Sequence, residues 1–215
     1  MDDARTRMVR ELLEGSAWVD RTRAFARTLG SAGHDPGGLL LVGTPVEEPW
    51  HLTAHLADEA RWSGRPELEP TLVRHRVPPG APGHLAVGLR RLEAARRGET
   101  VFVVAPDDSG EALLERVHDA RRAGATVLAL ESGDRELRGL AHEALTVAAG
   151  PEGPWPRAAL RPDGLVVPGP LAFETAQHLV SLAAGETPAR SGAWRGFTDR
   201  LSRLLDVVSG PVRTG

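Results

Sequence analysis

The sequence predicts an α/β fold built on a doubly wound parallel sheet. Three observations predict it. Residues 99–131 read as strand, loop, helix, turn and strand, a complete βαβ crossover. The run Val101 to Ala105 is continuously apolar, as in a strand covered on both faces. Strand-like and helix-like stretches then alternate along most of the chain, the pattern that gives a parallel sheet with helices on both sides.

The elements follow in order. Residues 3–30 carry a broad apolar stripe, including Met8, Leu12, Trp18, Phe25 and Leu29, that predicts a helix. Residues 31–38 are a Gly/Pro/Asp loop. Leu39 to Val42 is a short buried strand ending at Gly43. Residues 44–49 form a loop, and Glu47-Glu48-Pro49 suits the first turn of a helix that runs to about Ser63. Thr71 to Val77 is a second strand, residues 78–83 a turn, and residues 84–97 a helix closed by Gly98. In the crossover, Leu113, Leu114, Val117 and Ala120 make one helical stripe and Gly124 ends the helix. Residues 134–142 are a short helix, 144–148 a short strand, 151–170 a Gly/Pro-rich loop and 171–184 a helix. Residues 194–208 are a final amphipathic helix. The expected arrangement is one α/β unit over the 215 residues, with a core at about 35–185 and extra helices at 3–30 and 194–208. The stripes of those outer helices either cover the sheet or form a dimer interface.

Composition narrows the chemistry. The net charge is −3, which gives no polyanion partner a purchase, so nucleic acid is not expected. There is no cysteine, hence no disulfide, thiolate ligand or cysteine nucleophile. No apolar run reaches the roughly 20 residues that span a bilayer, and Met-Asp-Asp-Ala-Arg lacks the form of a secretory leader. A cytoplasmic protein with no membrane partner is expected. Lys, Ile, Asn and Tyr are absent. Their codons are AT-rich, so a very GC-rich genome, such as an actinobacterial one, explains the arginine usage. The lack of lysine excludes Schiff-base chemistry and a P-loop lysine.

Ligand loops of a parallel sheet lie at the carboxyl ends of its strands. Two are candidates here: Gly43-Thr44, and Asp107-Asp108-Ser109-Gly110. The helix that follows Gly110 would attract an anion through its free amides, but two carboxylates in the loop oppose that. Unit charges about 4 Å apart cost on the order of 1–4 kcal/mol at the dielectric of a site. One of the aspartates is expected to cap the helix at residues 109–111, the other reading being a metal or sugar-hydroxyl ligand. Pro45 has no N–H and argues against an amide nest in the first loop.

On helix 50–63, His51, His55 and Glu59 recur every four residues and share one face. Helix 171–184 carries Glu174 and His178 with the same spacing. Such a set either is a solvated face with weak pairing or supplies N and O donors that suit Zn²⁺.

The order of elements and the Ser109-Gly110 pair, followed by helix, Arg121-Arg122-Ala123-Gly124-Ala125 and strand, resemble the SIS (sugar isomerase) domain family. The resemblance covers about residues 35–185. That family binds sugar phosphates through a Ser-x-Ser-Gly-x-Thr loop; here Asp107 replaces the first Ser and Ala112 the Thr. His55-x-x-x-Glu59 is similar to the phosphoheptose isomerase branch, whose glutamate moves protons and whose His and Glu can bind zinc. The resemblance implies a sugar-derivative ligand and a homodimer or homotetramer. In a catalytic reading it implies Glu59 as base, His178 as acid, and His55, Glu59, Glu174 and His178 as zinc ligands. That branch pairs its late His with an upstream Gln, for which Glu174 would have to substitute. The alternative is a non-catalytic SIS-like regulatory or assembly module without sugar chemistry.

Overall fold

The computed structural model describes residues 17–32, 37–147, 159–160, 166–167 and 173–185. Five strands form one all-parallel sheet: β1 (Leu39–Val42), β2 (Pro70–Val73), β3 (Thr100–Ala105), β4 (Thr126–Glu131) and β5 (Glu143–Thr146). Their order is β2-β1-β3-β4-β5. The order reverses between β1 and β3, which makes the carboxyl ends of these two strands the switch point where such sheets open a crevice.

Strand periodicity divides the core into two. Leu39 and Leu41 of β1, Phe102 and Val104 of β3, and Leu128 and Leu130 of β4 face one side. There they meet α1 (Ala17–Ala32) through Phe25 and Leu29, α2 (Trp50–Ser63) through Leu52 and Leu56, and α6 (Phe173–Ala184) through Leu179 and Val180. The alternate residues Leu40, Val42, Val101, Val103 and Val127 face the other side. They meet α3 (Arg90–Glu93) through Leu92, α4 (Glu111–Arg122) through Leu113 and Val117, and α5 (Arg135–Leu140) through Leu137. This is the three-layer, doubly wound α/β arrangement that the alternation predicts. A two-strand antiparallel pair, β6 (Ala159–Leu160) with β7 (Val166–Val167), stands apart from the sheet. No helix among the described residues is long and apolar enough to cross a membrane.

The described part of the first helix, α1, spends its stripe on the sheet, with Phe25 stacked at 5.3 Å between ring centroids on Phe102. That face needs no second copy of the chain. The helix expected over 194–208 and residues 3–16 of the first one lie outside the described residues.

Besides the β6–β7 pair inside the expected loop 151–170, two elements differ from expectation. The second strand ends at Val73 rather than Val77. The helix expected over 84–97 reduces to a 3₁₀ turn at Gly83–Leu85 and a single α turn, α3. The cause is backbone pairing. Arg74 N–H donates to the Val87 carbonyl at 2.8 Å, and Arg74 and Gly88 form an isolated parallel bridge. Glycine and a β-branched valine resist a helix there, and pairing beside β2 satisfies their backbone instead. Glu99 then fixes the segment's end, accepting from Arg91 at 2.6 Å and from the Arg96 amide at 3.0 Å.

Three helix ends on the first face converge on Arg65. Its guanidinium donates to the Gly30 carbonyl at 2.7 Å, to the Ala184 carbonyl at 2.8 Å, and to Glu67 at 2.9 Å. A cation at helix C-termini is favoured by the free carbonyls and the dipole together. Arg65 follows directly on Gly64, whose left-handed φ of 67° ends α2. It thereby fixes α6 relative to α1 and α2.

Candidate functional site: a cleft at the switch point

The loop after β1 is rigid for reasons visible in its residues. Thr44 N–H donates to the Glu47 carbonyl at 3.0 Å, and Glu47 N–H donates to Thr44 Oγ1 at 3.2 Å. Thr44 is completely buried, so its hydroxyl braces the turn rather than facing a ligand. Gly43 is needed by packing. A Cβ there would lie 2.7 Å from Pro49 Cδ and closer still to the Glu47 carbonyl oxygen. The Gly43 carbonyl accepts from His75 Nε2 at 2.9 Å. The expectation of Gly43 and Thr44 as ligand contacts gives way to a structural role. They shape the loop that carries Glu47, Glu48 and Trp50.

Glu48 and Trp50 are locked in turn. Both carboxylate oxygens of Glu48 accept from Arg74, at 3.1 and 3.0 Å from Nε. The same guanidinium lies 4.8 Å from the centre of the Trp50 ring, within cation–π range. One face of the indole is thus occupied and its orientation set.

The loop after β3 satisfies its own amides. Gly110 N–H donates to Asp108 Oδ1 at 2.7 Å, and Ser109 N–H to Asp134 Oδ2 at 3.2 Å. Asp134 also accepts from Leu137 N–H at 2.9 Å as the N-cap of α5. The N-cap of α4 is Gly110, at φ 73°, with no side-chain cap. An aspartate therefore closes a turn just before α4 instead of capping it. Ser109 is fully buried and Asp107 and Asp108 are exposed. Burial alone would raise the Asp134 pKa. Hydrogen bonds from Leu137, Ser109 and Glu136 outweigh it, and the group sits below the usual carboxylate range. A concavity of about 770 Å³ beside this loop is lined by Asp107, Asp108, Glu111, Asp134 and Glu136, with Arg135 as its one basic residue. Two amides that could cradle an anion are taken by the chain's own carboxylates, and the surroundings are acidic.

Between the two loops and α6 lies a smaller cleft of about 290 Å³. The β1 loop and the start of α2 give it Glu47, Trp50 and His51; α6 gives Phe173, Glu174 and Gln177. Glu47 is pushed above the ordinary carboxylate range, first by partial burial and then by the nearby charges of Asp107 and Glu174. Gln177 is only 6 % exposed and lines the cleft wall. Gln177 sits one residue before His178. On a helix that step is 100°, enough to move a side chain from the cleft wall to the packed seam beneath.

The paired α2 and α6 bring His55 and His178 together, with ring centroids 4.4 Å apart in an edge-to-face arrangement. Neither lines the cleft. Burial, above all, lowers the pKa of both. For His55, Asp58 and Glu174 pull upward and His51 adds to the lowering; for His178, His55 is the next cause. His178 Nδ1 is enclosed without a partner. Glu59 is only 2 % exposed, and its carboxylate packs against the backbone of Gly185 beyond the end of α6. Glu174 is on the exposed rim of the cleft. The expected set thus splits into a ring pair, a buried carboxylate and a rim carboxylate. Among the described residues no three His, Asp or Glu side chains are placed to hold a metal ion. His55, Glu59, Glu174 and His178 are not gathered into one shell in this arrangement.

No family model matches the chain, and no curated protein matches it. Solved structures do. A Salmonella typhimurium LT2 protein described as a phosphosugar isomerase matches at TM-score 0.51 and 11% identity, over 88% of this chain and 51% of its own. A second protein of that organism, described as sugar-binding, matches at TM-score 0.51 and 14% identity, over 94% of this chain and 54% of its own. The fold is of the SIS type. The Vibrio vulnificus NanR protein complexed with ManNAc-6P also matches, at TM-score 0.47 and 14% identity, over 86% of this chain and 62% of its own. The chain spans between half and two thirds of the length of these structures.

Proposed function

We propose that this chain binds a carbohydrate derivative in the cleft between the β1 loop and α6, without isomerising it. The observation that carries the reading is a cleft at the switch point of the sheet whose wall combines an amide, Gln177, with the carboxylates of Glu47 and Glu174. Sugar hydroxyls both donate and accept, and so match an amide and carboxylates well. The cleft is at the lower end of ligand-pocket volumes, which suits a single sugar ring. Two fold neighbours described as a phosphosugar isomerase and a sugar-binding protein support the ligand class.

A second reading is aldose–ketose isomerisation, with Glu59 as base and His178 as acid. The closeness of His55 and His178 favours it. It requires a substrate to reach Glu59, which is buried and outside the cleft lining, so binding without turnover is preferred. Zinc belongs to that second reading alone; stoichiometric zinc lost in both Glu59→Gln and His178→Ala would support it. Calorimetric titration with a panel of free and phosphorylated sugars, in parallel with proton exchange at the sugar C2 in deuterated water, tests both. The proposal expects saturable binding and no exchange. Exchange abolished by Glu59→Gln would replace it with the isomerase.

A further inference from the structure

The aromatic surface of the cleft points to the shape of its ligand, in an inference that rests on the carbohydrate reading above. Trp50 is a large indole left 40 % exposed, and it lines the cleft together with Phe173 and Pro106. The same lining carries an amide, Gln177, and the carboxylates of Glu47 and Glu174. Apolar ring surface and hydrogen-bonding groups thus meet in a space of about 290 Å³.

The indole is held in place before any ligand arrives. Trp50 is the first residue of α2, and its N–H donates to the Glu48 carbonyl at 2.8 Å. Its ring is fixed by Arg74, whose guanidinium carbon lies over one face, 4.8 Å from the centre. Arg74 is itself anchored twice. Its Nη2 lies 2.9 Å from Glu48 Oε2, and its backbone N–H donates to the Val87 carbonyl at 2.8 Å. The two paired side chains are 15 % and 19 % exposed, so solvent screens them less than a surface pair. Arg74 does not line the cleft. The guanidinium therefore backs the ring, and the rest of the indole is what the cleft receives. A platform whose orientation is already restricted loses little freedom when a ligand lands on it.

An indole beside hydrogen-bonding groups selects a ligand with the same division of surfaces. A closed pyranose ring has that division: its axial C–H bonds form a flat apolar face, and its hydroxyls ring the edge. An open-chain sugar carries the same hydroxyls on a flexible chain. It has no such face until its torsions are frozen, and freezing them costs entropy.

We propose that Trp50 is the platform on which the cleft stacks a closed pyranose ring, and that Arg74 is the residue that positions the platform. The ring hydroxyls then meet Gln177 and the carboxylates on the rest of the wall.

The test is calorimetric titration of the full chain with the methyl pyranosides of glucose, galactose and glucosamine, free and 6-phosphorylated, each beside its alditol. A methyl glycoside cannot open and an alditol cannot close. At least one pyranoside should bind at least about tenfold more tightly than its alditol. It should also move tryptophan emission to shorter wavelength as water leaves the indole. Trp50→Ala should weaken that pyranoside by about tenfold or more, and Trp50→Phe should hold it within about threefold while removing most of the emission shift. Arg74→Ala should weaken it by at least about threefold in the native background and no further in Trp50→Ala. A loss through stability, or through the Glu48 charge left behind, would persist in both backgrounds. Circular dichroism checks that each variant folds. Where one does not, the comparison of pyranoside with alditol and the emission shift, both made on the native chain, decide the matter. Equal affinity for pyranoside and alditol, or binding untouched by Trp50→Ala, overturns the inference and leaves the carbohydrate reading standing. Tighter binding of the alditol overturns it too and favours an open-chain substrate. Equal weakening by Arg74→Ala in both backgrounds overturns the positioning role of Arg74. Failure of every one of these compounds to bind refutes the carbohydrate reading itself.

Discussion

Replacing Gly43 by alanine tests whether the β1 loop is held by close packing. The added methyl would sit 2.7 Å from Pro49 Cδ, where ordinary contacts begin near 3.4 Å, and nearer still to the Glu47 carbonyl oxygen. Neither neighbour is the tip of a flexible side chain. Backbone must therefore retreat by about 0.7 Å or more, which overpacking studies place at roughly 1–3 kcal/mol. The retreat also pulls on the two reciprocal hydrogen bonds between Thr44 and Glu47, worth about 1 kcal/mol each. A loss of roughly 2–4 kcal/mol follows, or a fall of about 4–16 °C in melting temperature for a chain of this size. Because Glu47 and Trp50 ride on the same loop, ligand affinity should fall by more than the loss of stability would explain. Urea unfolding at fixed temperature, followed by titration of the folded variant, measures both. A Gly43→Ala protein with an unchanged midpoint and unchanged affinity would refute the reasoning.

Three further outcomes are expected. Arg65→Ala removes charged hydrogen bonds to the ends of α1 and α6 and should destabilise by roughly 2–4 kcal/mol in thermal unfolding; Arg65→Lys should recover little, since an ammonium cannot reproduce the fork. Acid should destabilise the fold through Glu131, which burial alone would raise but which Arg138, Thr146 and Gly133 hold below its ordinary pKa. A carboxylate lowered in the folded state stabilises above its unfolded pKa of about 4.3, and that contribution disappears as pH falls through the folded value. Unfolding midpoints of Glu131→Gln should therefore vary less with pH than wild type across that window, and parallel curves would contradict the assignment. Asp134→Ala should cost about 1–2 kcal/mol in urea unfolding through the lost cap of α5, and Asp134→Ser should restore part of it.

Much of the sheet was legible because its strands are buried on both faces. Val101–Ala105 and Val127–Leu130 are continuous apolar runs, the pattern of strands in a parallel sheet covered by helices. Helices α2 and α4 were legible from their apolar stripes, and the Gly64 and Gly124 turns that close them have positive φ. Residues 84–97 misled because their helical periodicity is overruled by pairing of Val87 and Gly88 with Arg74 across the chain, a tertiary event that local propensity does not contain. The four-residue spacings on the two helices did identify side chains that meet, His55 and His178. They did not identify which turn of each helix reaches the cleft. That depends on how α6 lies along α2, and the answer is the turn of His51, Glu174 and Gln177. Gln177 is the only glutamine in the chain, and that rarity was the available signal. The amides of Gly110 and Ser109 are closed by Asp108 and Asp134, a pairing that only the turn geometry contains.

The central claim is that ligand sits between the β1 loop and α6. Hydrogen-exchange mass spectrometry with and without the tightest-binding methyl pyranoside at saturation locates it most directly. Protection confined to peptides covering residues 44–51 and 173–178 is the predicted footprint. Protection centred on residues 107–112 and 132–136, with 173–178 unchanged, would move the site to the neighbouring concavity and contradict the account.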